Sequence, residues 1–354
     1  MGILLIFLAC YTDFRGIWIP RWSLDDGREI FSHLDGSFNH IFLQVYALGQ
    51  AYYPSQRVPS RRMSDEWLKD FIDEAHRRHI QVSAWINVFY SWGYAPLTTD
   101  RRHPINRQPN WYVSDRAGRS ILDYSVDELE DLRIEGYYLA PGHEHVQEYL
   151  CGIAEEIVRM YDFDGIHLDY IRYPGSEFIY DAALRSKFMR RYGVDPFDLH
   201  ADSTVQQRYS LWGYDDLNAK WQSMVNRDLT DFIIKLGSRV KQVRQDLEIS
   251  VAVKPDYLSA RTNFYQDWLT WVNAHYVDFV CLMLYTRNIT SHLKKIEAAV
   301  QEPQRITVGL GIYILSPAQI AEQVKTVRKS PFGGVVYFSY DQLKENHAYR
   351  RVLE

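Results

Sequence analysis

Residues 163–174 read Phe-Asp-Gly-Ile-His-Leu-Asp-Tyr-Ile-Arg-Tyr-Pro. The apolar run from Gly165 to Leu168 has the character of a strand. It ends in a carboxylate, an arginine, two tyrosines and a proline that stops it. Side chains alternate along a strand, so His167 and Asp169 share one face and Ile166 and Leu168 the other. A polar face ending in an acid suits a buried strand that opens into a cleft. Such an acid can move protons: two carboxyls flanking a bond can protonate the leaving oxygen and activate water or attack carbon. Asp169 is the leading candidate, with an ion pair to Arg172 as its purely structural alternative. His167 is placed either to tune Asp169 by hydrogen bonding or to be a satisfied buried histidine.

Composition narrows the chemistry. The chain has 354 residues with 45 acids against 40 bases, a net charge of −5. That balance argues against tracking a phosphate backbone, so no nucleic-acid partner is expected. Aromatic residues make up 15%, led by 26 tyrosines and 10 tryptophans. Many fall in connecting segments, where core packing is a poor account and stacking on sugar rings a better one. Cys10, Cys151 and Cys281 form no CxxC pair. There is no HExxH, no phosphate-cradling glycine loop and no G-x-S-x-G elbow. No metal site and no cofactor are expected.

The elements that would position Asp169 follow an eightfold rhythm. Strand-like runs occur at Gly16–Pro20, His40–Tyr46, Gln81–Val88, Gly165–Ile171, Glu248–Lys254, Phe279–Thr286, Ile306–Tyr313 and Gly333–Tyr340. Most are apolar on both faces, as in a parallel sheet covered on both sides. Amphipathic helical stretches separate them. Ser64 caps one whose apolar stripe is Leu68, Phe71, Ile72 and Ala75, and Ser316-Pro317 opens another. The expectation is an α/β chain folded as a single (β/α)8 TIM barrel over residues 13–354, with long connections after strands three and four, at 89–140 and 172–214. Both lie on the C-terminal face, where barrel sites form.

Strict alternation then gives the residues facing the barrel lumen near that end. Strand two offers Gln44 and Tyr46, strand three Trp85 and Asn87, and strand four His167 and Asp169 with Arg172 beyond. Strand five offers Lys254 and then Asp256, strand six Met283 and Tyr285, strand seven Tyr313, and strand eight Tyr337 with Asp341 past its end. Asp256 is the preferred second carboxyl, with Lys254 favouring its ionised form; Asp341 and Glu177 are weaker alternatives. Gln44, Tyr46, Trp85, Asn87, Trp92, His167, Arg172, Tyr173, Lys254, Tyr285 and Tyr337 are the candidate substrate-binding residues, with Trp85 and Asn87 at the cleft floor and Trp92 and Tyr173 among the loop aromatics that could stack on sugar rings.

The 163–174 stretch resembles the fourth-strand signature of the family-10-like glycoside hydrolases, written DGIHxDDYxYP. The resemblance extends to Arg15-Gly16-Ile17-Trp18, Phe42-Leu43-Gln44-Val45, Ala75-His76-Arg77-Arg78-His79 with Ser83-Ala84-Trp85-Ile86-Asn87, Tyr138-Leu139-Ala140-Pro141-Gly142, Asp267-Trp268-Leu269 and 334–339. It covers nearly the whole chain. Asp164, Gly165 and Asp169 also match the DGxDxDxE strand of family-18 glycosidases. His167 and Ile171 replace an Asp and the acid Glu of that motif, so its mechanism does not carry over. Where the family often shows Asp-Asp this chain has Asp169-Tyr170, and the acid of the usual LDPG segment is Ala140. The resemblance implies a glycosidase acting on a polysaccharide, in particular a bacterial cell-wall or aminosugar-containing glycan. A catalytically inactive glycan-binding barrel is the alternative, favoured by Ala140 and by a seventh strand without an acid.

Residues 1–12 hold an apolar run, Gly2–Ala9, directly before Cys10. It has two readings: the remnant of an export or lipoprotein signal, with a lipid anchor at Cys10, or a buried first segment. Together with the resemblance, the first gives the expectation of a protein working outside the cytoplasm, and a monomer.

Overall fold

The computed structural model describes residues 13–34, 36–61, 64–199 and 204–349. Eight parallel strands close on themselves: β1 (Phe14–Ile19), β2 (His40–Ala47), β3 (Gln81–Asn87), β4 (Gly165–Asp169), β5 (Glu248–Val253), β6 (Phe279–Met283), β7 (Ile306–Gly311) and β8 (Gly334–Phe338). Each pairs with its sequence neighbours, and β1 pairs with both β2 and β8, so no edge is left open. Helices run between them, as in a (β/α)8 barrel. The eight expected strands are all present. The predicted run Cys10 and its upstream residues lie outside the described residues.

The helices start where their capping chemistry says they should. Ser64 Oγ accepts from Trp67 N at 3.1 Å and opens the helix Asp65–Arg77, which buries Leu68, Phe71, Ile72 and Ala75. Ser316 and Gln319 cap each other reciprocally at the start of Pro317–Arg328. The longest helical stretch, Thr204–Val243, is broken at Ser210, whose φ of 67° is not helical. Among the described residues, no helix is long and apolar enough to cross a membrane.

Two apolar layers result. Outward-facing strand residues such as Ile17, Ile41, Ile166 and Val251 pack under the helices in the main core. Inward-facing residues form a second cluster, Phe14, Trp18, Phe42, Trp85, Phe279, Cys281 and Val336, that fills the lower lumen. β7 makes room for it. A Cβ on Gly309 would lie 2.5 Å from Leu282 O and 2.9 Å from the Trp18 ring, so the strand-seven glycine is the seat of the Trp18 indole.

The connection after β3 carries its own small antiparallel sheet, Tyr90–Trp92 against Tyr137–Tyr138. Tyr112, Val113, Ile121 and Leu139 are buried around it. This excursion over the C-terminal face has a packed interior, and it stands beside the strand ends.

Candidate active site

Above the aromatic plug, at the C-terminal ends of the strands, lies a cavity of about 600 Å³. Its floor is built from lumen positions, including Trp18, Trp85, Asn87, Asp169, Lys254, Tyr285 and Phe338, and its walls from Arg21, Trp22, Tyr90, Trp92 and Tyr94. Several of the residues expected at the site therefore meet there: Gln44, Trp85, Asn87, Trp92, Asp169, Arg172, Lys254 and Tyr285.

Asp169 is the last residue of β4 and is only 7% exposed. Its Oδ2 accepts from Trp85 Nε1 at 3.2 Å and its Oδ1 from the Tyr170 amide at 2.7 Å. Burial pushes the carboxyl upward, against the opposing influence of Arg172 and of these two donors. Tyr170 has a left-handed backbone, with φ of 51°, a conformation that costs about 1–3 kcal/mol in a non-glycine residue. Its ring stacks on Tyr90 at 4.5 Å, and the Arg172 guanidinium lies 4.3 Å from its centroid. This sandwich holds the turn that presents Asp169 to the cavity.

His167 lies one strand pair deeper and is fully buried. Trp18 Nε1 donates to its Nε2 at 3.0 Å, and its Nδ1 meets Ser250 Oγ at 2.8 Å. It does not line the cavity. Burial holds it well below the usual histidine range, so it is neutral. Of its two expected roles, the satisfied lumen histidine is the one realised.

Four expected site residues sit elsewhere. Asp256 is not at the cavity. β5 ends at Val253, and the Asp256 carboxyl caps the helix Tyr257–Asn263 by accepting from Ser259 N at 2.9 Å. Lys295, 2.5 Å away, is its ion-pair partner and holds it below the usual range. Tyr46 faces the outer core. The β2–β3 register shifts between Gln44 and Tyr46, so Tyr46 pairs with Ile86 and the alternation inverts. Tyr337 also faces outward, beside Val335, with its ring edge-on to Phe38 at 5.8 Å; Phe338 takes the lumen position. Tyr173 is fully buried against Tyr265 at 5.5 Å. Of the weaker acids, Asp341 accepts from Trp22 Nε1 at 2.8 Å and from Ser23 Oγ, outside the cavity lining. Glu177 lines a separate hollow with Asp115 and Tyr124.

The residue missed by sequence reasoning is Glu135. It reaches the cavity from the end of the β3 connection, and it and Asp169 are the two carboxyls among the described lining residues. Glu135 Oε1 accepts from Arg172 Nη2 at 3.0 Å and lies 3.9 Å from Lys254 Nζ, and Oε2 accepts from Tyr138 OH at 2.9 Å. Burial opposes its charge, but Arg172 and Lys254 outweigh burial and hold it below the usual range. Arg172, expected to hold Asp169, thus spends its hydrogen bond on Glu135. Lys254, expected beside Asp256, faces Glu135, and burial lowers its ammonium below the ordinary lysine value. The signal available in the sequence was faint. Gly136 has φ of 149°, and a Cβ there would meet Trp92 O at 2.3 Å, so only glycine lets the chain pass at that point.

A barrel of this kind is also what comparison with other proteins returns. The family model described as glycosyl hydrolase-like 10 matches residues 14–329. The chain belongs to the glycosyl hydrolase-like 10 family. The glycosyl hydrolase DigH of Escherichia coli K12 is 23% identical over 309 residues, covering 77% of this chain and 62% of that protein. YngK of Bacillus subtilis, also named a glycosyl hydrolase, is 25% identical over 216 residues, covering 52% of this chain and 38% of its own length. The chain thus spans less than two thirds of the length of these relatives. Among solved structures, the glycoside hydrolase domain of PgaB (BpsB) from Bordetella bronchiseptica superposes with a TM-score of 0.70 at 16% identity, covering 96% of this chain and 98% of that one. A family-18 chitinase from Cycas revoluta, solved with (GlcNAc)4, gives 0.53 at 10% identity, covering 96% and 98%. These two likenesses are of fold. In this chain the two carboxyls among the described cavity-lining residues, Asp169 and Glu135, stand at one end of the barrel.

Proposed function

We propose that this protein hydrolyses O-glycosidic bonds in a polysaccharide, with Asp169 as the acid that protonates the leaving oxygen. The observation that carries the reading is the placement of Asp169: a buried carboxyl, pushed toward its protonated form, at the floor of an aromatic-walled cavity on the C-terminal face. A carboxyl whose protonated form is favoured by burial suits the donation of a proton to a departing alkoxide. Gln44 and Asn87, joined at 3.1 Å, and Tyr285 supply hydroxyl-binding groups on the same floor, with Trp85 and Trp92 as apolar planes. An aminosugar-containing bacterial glycan is the proposed substrate class, in keeping with the family membership and with a barrel neighbour solved with GlcNAc oligomers. Action outside the cytoplasm, as a monomer, belongs to the same proposal.

A panel of bacterial glycans, with product masses, tests it. Cleavage by the wild type is expected, with at least a ~100-fold lower kcat and unchanged binding for Asp169→Asn, since a general acid contributes about 10²–10⁴ in rate. Full activity in Asp169→Asn would remove the assignment. A second reading, a glycan-binding barrel without turnover, is favoured by the acid-free lumen face of β7, where Gly309 and Gly311 seat the rings of Trp18 and Tyr285. Binding without cleavage across the panel would select it.

A further inference from the structure

We propose that Glu135 is the second catalytic carboxyl of this site, working opposite Asp169 as the general base on water. The inference rests on the hydrolase reading above and takes the place left open by Asp256.

Geometry carries it. Glu135 and Asp169 line the same cavity from different elements, one from the β3 connection and one from β4. Glu135 is gripped on every side: Tyr90 OH donates to its backbone carbonyl at 3.1 Å, Tyr138 OH to Oε2 at 2.9 Å and Arg172 Nη2 to Oε1 at 3.0 Å. The glycine that follows has no room for a side chain, which fixes where the Glu135 backbone can run. Arg172, itself 2% exposed, acts on both carboxyls, yet donates its hydrogen bond to Glu135 alone. That bond favours the charged form of Glu135 while burial favours the neutral form of Asp169, the direction of difference that base and acid roles require.

Each Glu135 oxygen keeps a lone pair beyond its bond to Tyr138 or Arg172, and with it can accept a proton from water. The step then balances. The Asp169 carboxyl gives its proton to the glycosidic oxygen, and the electrons of the breaking carbon–oxygen bond go to that oxygen. A water oxygen bonds to the anomeric carbon, and Glu135 takes its proton. Asp169 ends as carboxylate and Glu135 as carboxylic acid, and exchange with solvent restores both. Configuration at the anomeric carbon is inverted.

The test uses the full chain and whichever glycan of the panel the wild type cleaves. Glu135→Gln keeps size and most hydrogen bonding. Its kcat should fall by about 100-fold or more while the substrate Kd stays within about threefold. The acidic limb of the kcat/KM profile should disappear, and proton NMR of the wild-type product should show the inverted anomer first. Wild-type kcat in Glu135→Gln, or a retained anomer, overturns the proposal. So does a loss of kcat matched by equal losses of binding and melting temperature, which would make Glu135 a structural partner of Arg172. If the wild type binds glycans and cleaves none, the hydrolase reading falls and this one with it. If the wild type cleaves and Glu135→Gln cleaves equally well, only the role of Glu135 falls.

Discussion

Trp18 donates its indole N–H to His167 Nε2 at 3.0 Å, and that bond decides the state of the imidazole. An indole nitrogen can only donate, so Nε2 is the acceptor and Nδ1 carries the proton that meets Ser250 Oγ. His167 is the neutral Nδ1–H tautomer, held at both ends. It cannot shuttle protons to Asp169 without breaking one of them.

Nitrogen chemical shifts of the His167 ring should therefore stay those of the Nδ1–H tautomer from pH 5 to pH 9. Trp18→Phe keeps an aromatic ring and removes the donor. It should destabilise the fold by about 1–3 kcal/mol, the cost of leaving a buried acceptor unpaired. A titration of His167 near pH 6.5 in the wild type would contradict this account.

Trp85→Phe addresses the acid. The indole N–H reaches Asp169 Oδ2 at 3.2 Å and favours the carboxylate form. Losing it raises the carboxyl further, so the protonated form survives to higher pH. The alkaline limb of the kcat profile should move up by about one unit, since a hydrogen bond to a charged group is worth ~1.5–3 kcal/mol and one unit is ~1.4 kcal/mol. An alkaline limb that moves down, or stays in place, would separate Trp85 from Asp169.

A third prediction concerns stability away from the cavity. Asp181 caps the helix Ala182–Tyr192 by accepting from Leu184 N at 3.0 Å. Burial, with Asp228 adding to it, pushes its carboxyl up to about 6. A carboxyl raised in the folded state contributes stability that is fully present below its unfolded value and lost as pH rises through the folded one. The window here is about pH 4 to 6. Asp181→Asn retains an oxygen for the cap and removes the buried charge, so it should raise the melting temperature at pH 7.5, by up to about 3 kcal/mol of stability, and change little at pH 4. Thermal melts at the two pH values check it.

The sequence made the barrel legible because buried parallel strands are apolar on both faces and because serines stand where helices need caps. Asp169 was legible for a local reason: a polar lumen face that ends in an acid is visible within five residues. Errors arose where local backbone irregularity breaks period two. The register shift after Gln44 turned Tyr46 outward, and β5 ends at Val253, short of the alternation that had placed Asp256 in the lumen. At β8 the error is one of phase in the alternation: Val336 belongs to the lumen cluster and Phe338 lines the cavity, which leaves Tyr337 outward. Glu135 was beyond reach for a different reason. It sits in a long connection without periodicity, and only the folding of the Tyr90–Trp92 and Tyr137–Tyr138 pair brings it back over the strand ends.

The rings of Phe14, Phe42 and Phe279 stop the barrel from below, directly under Trp18 and Trp85. The chamber around Asp169 is consequently closed along the barrel axis, so a chain can lie across its mouth but cannot be threaded through the barrel. Trp22, which is 56% exposed and tethered to Asp341, stands in the wall of that mouth.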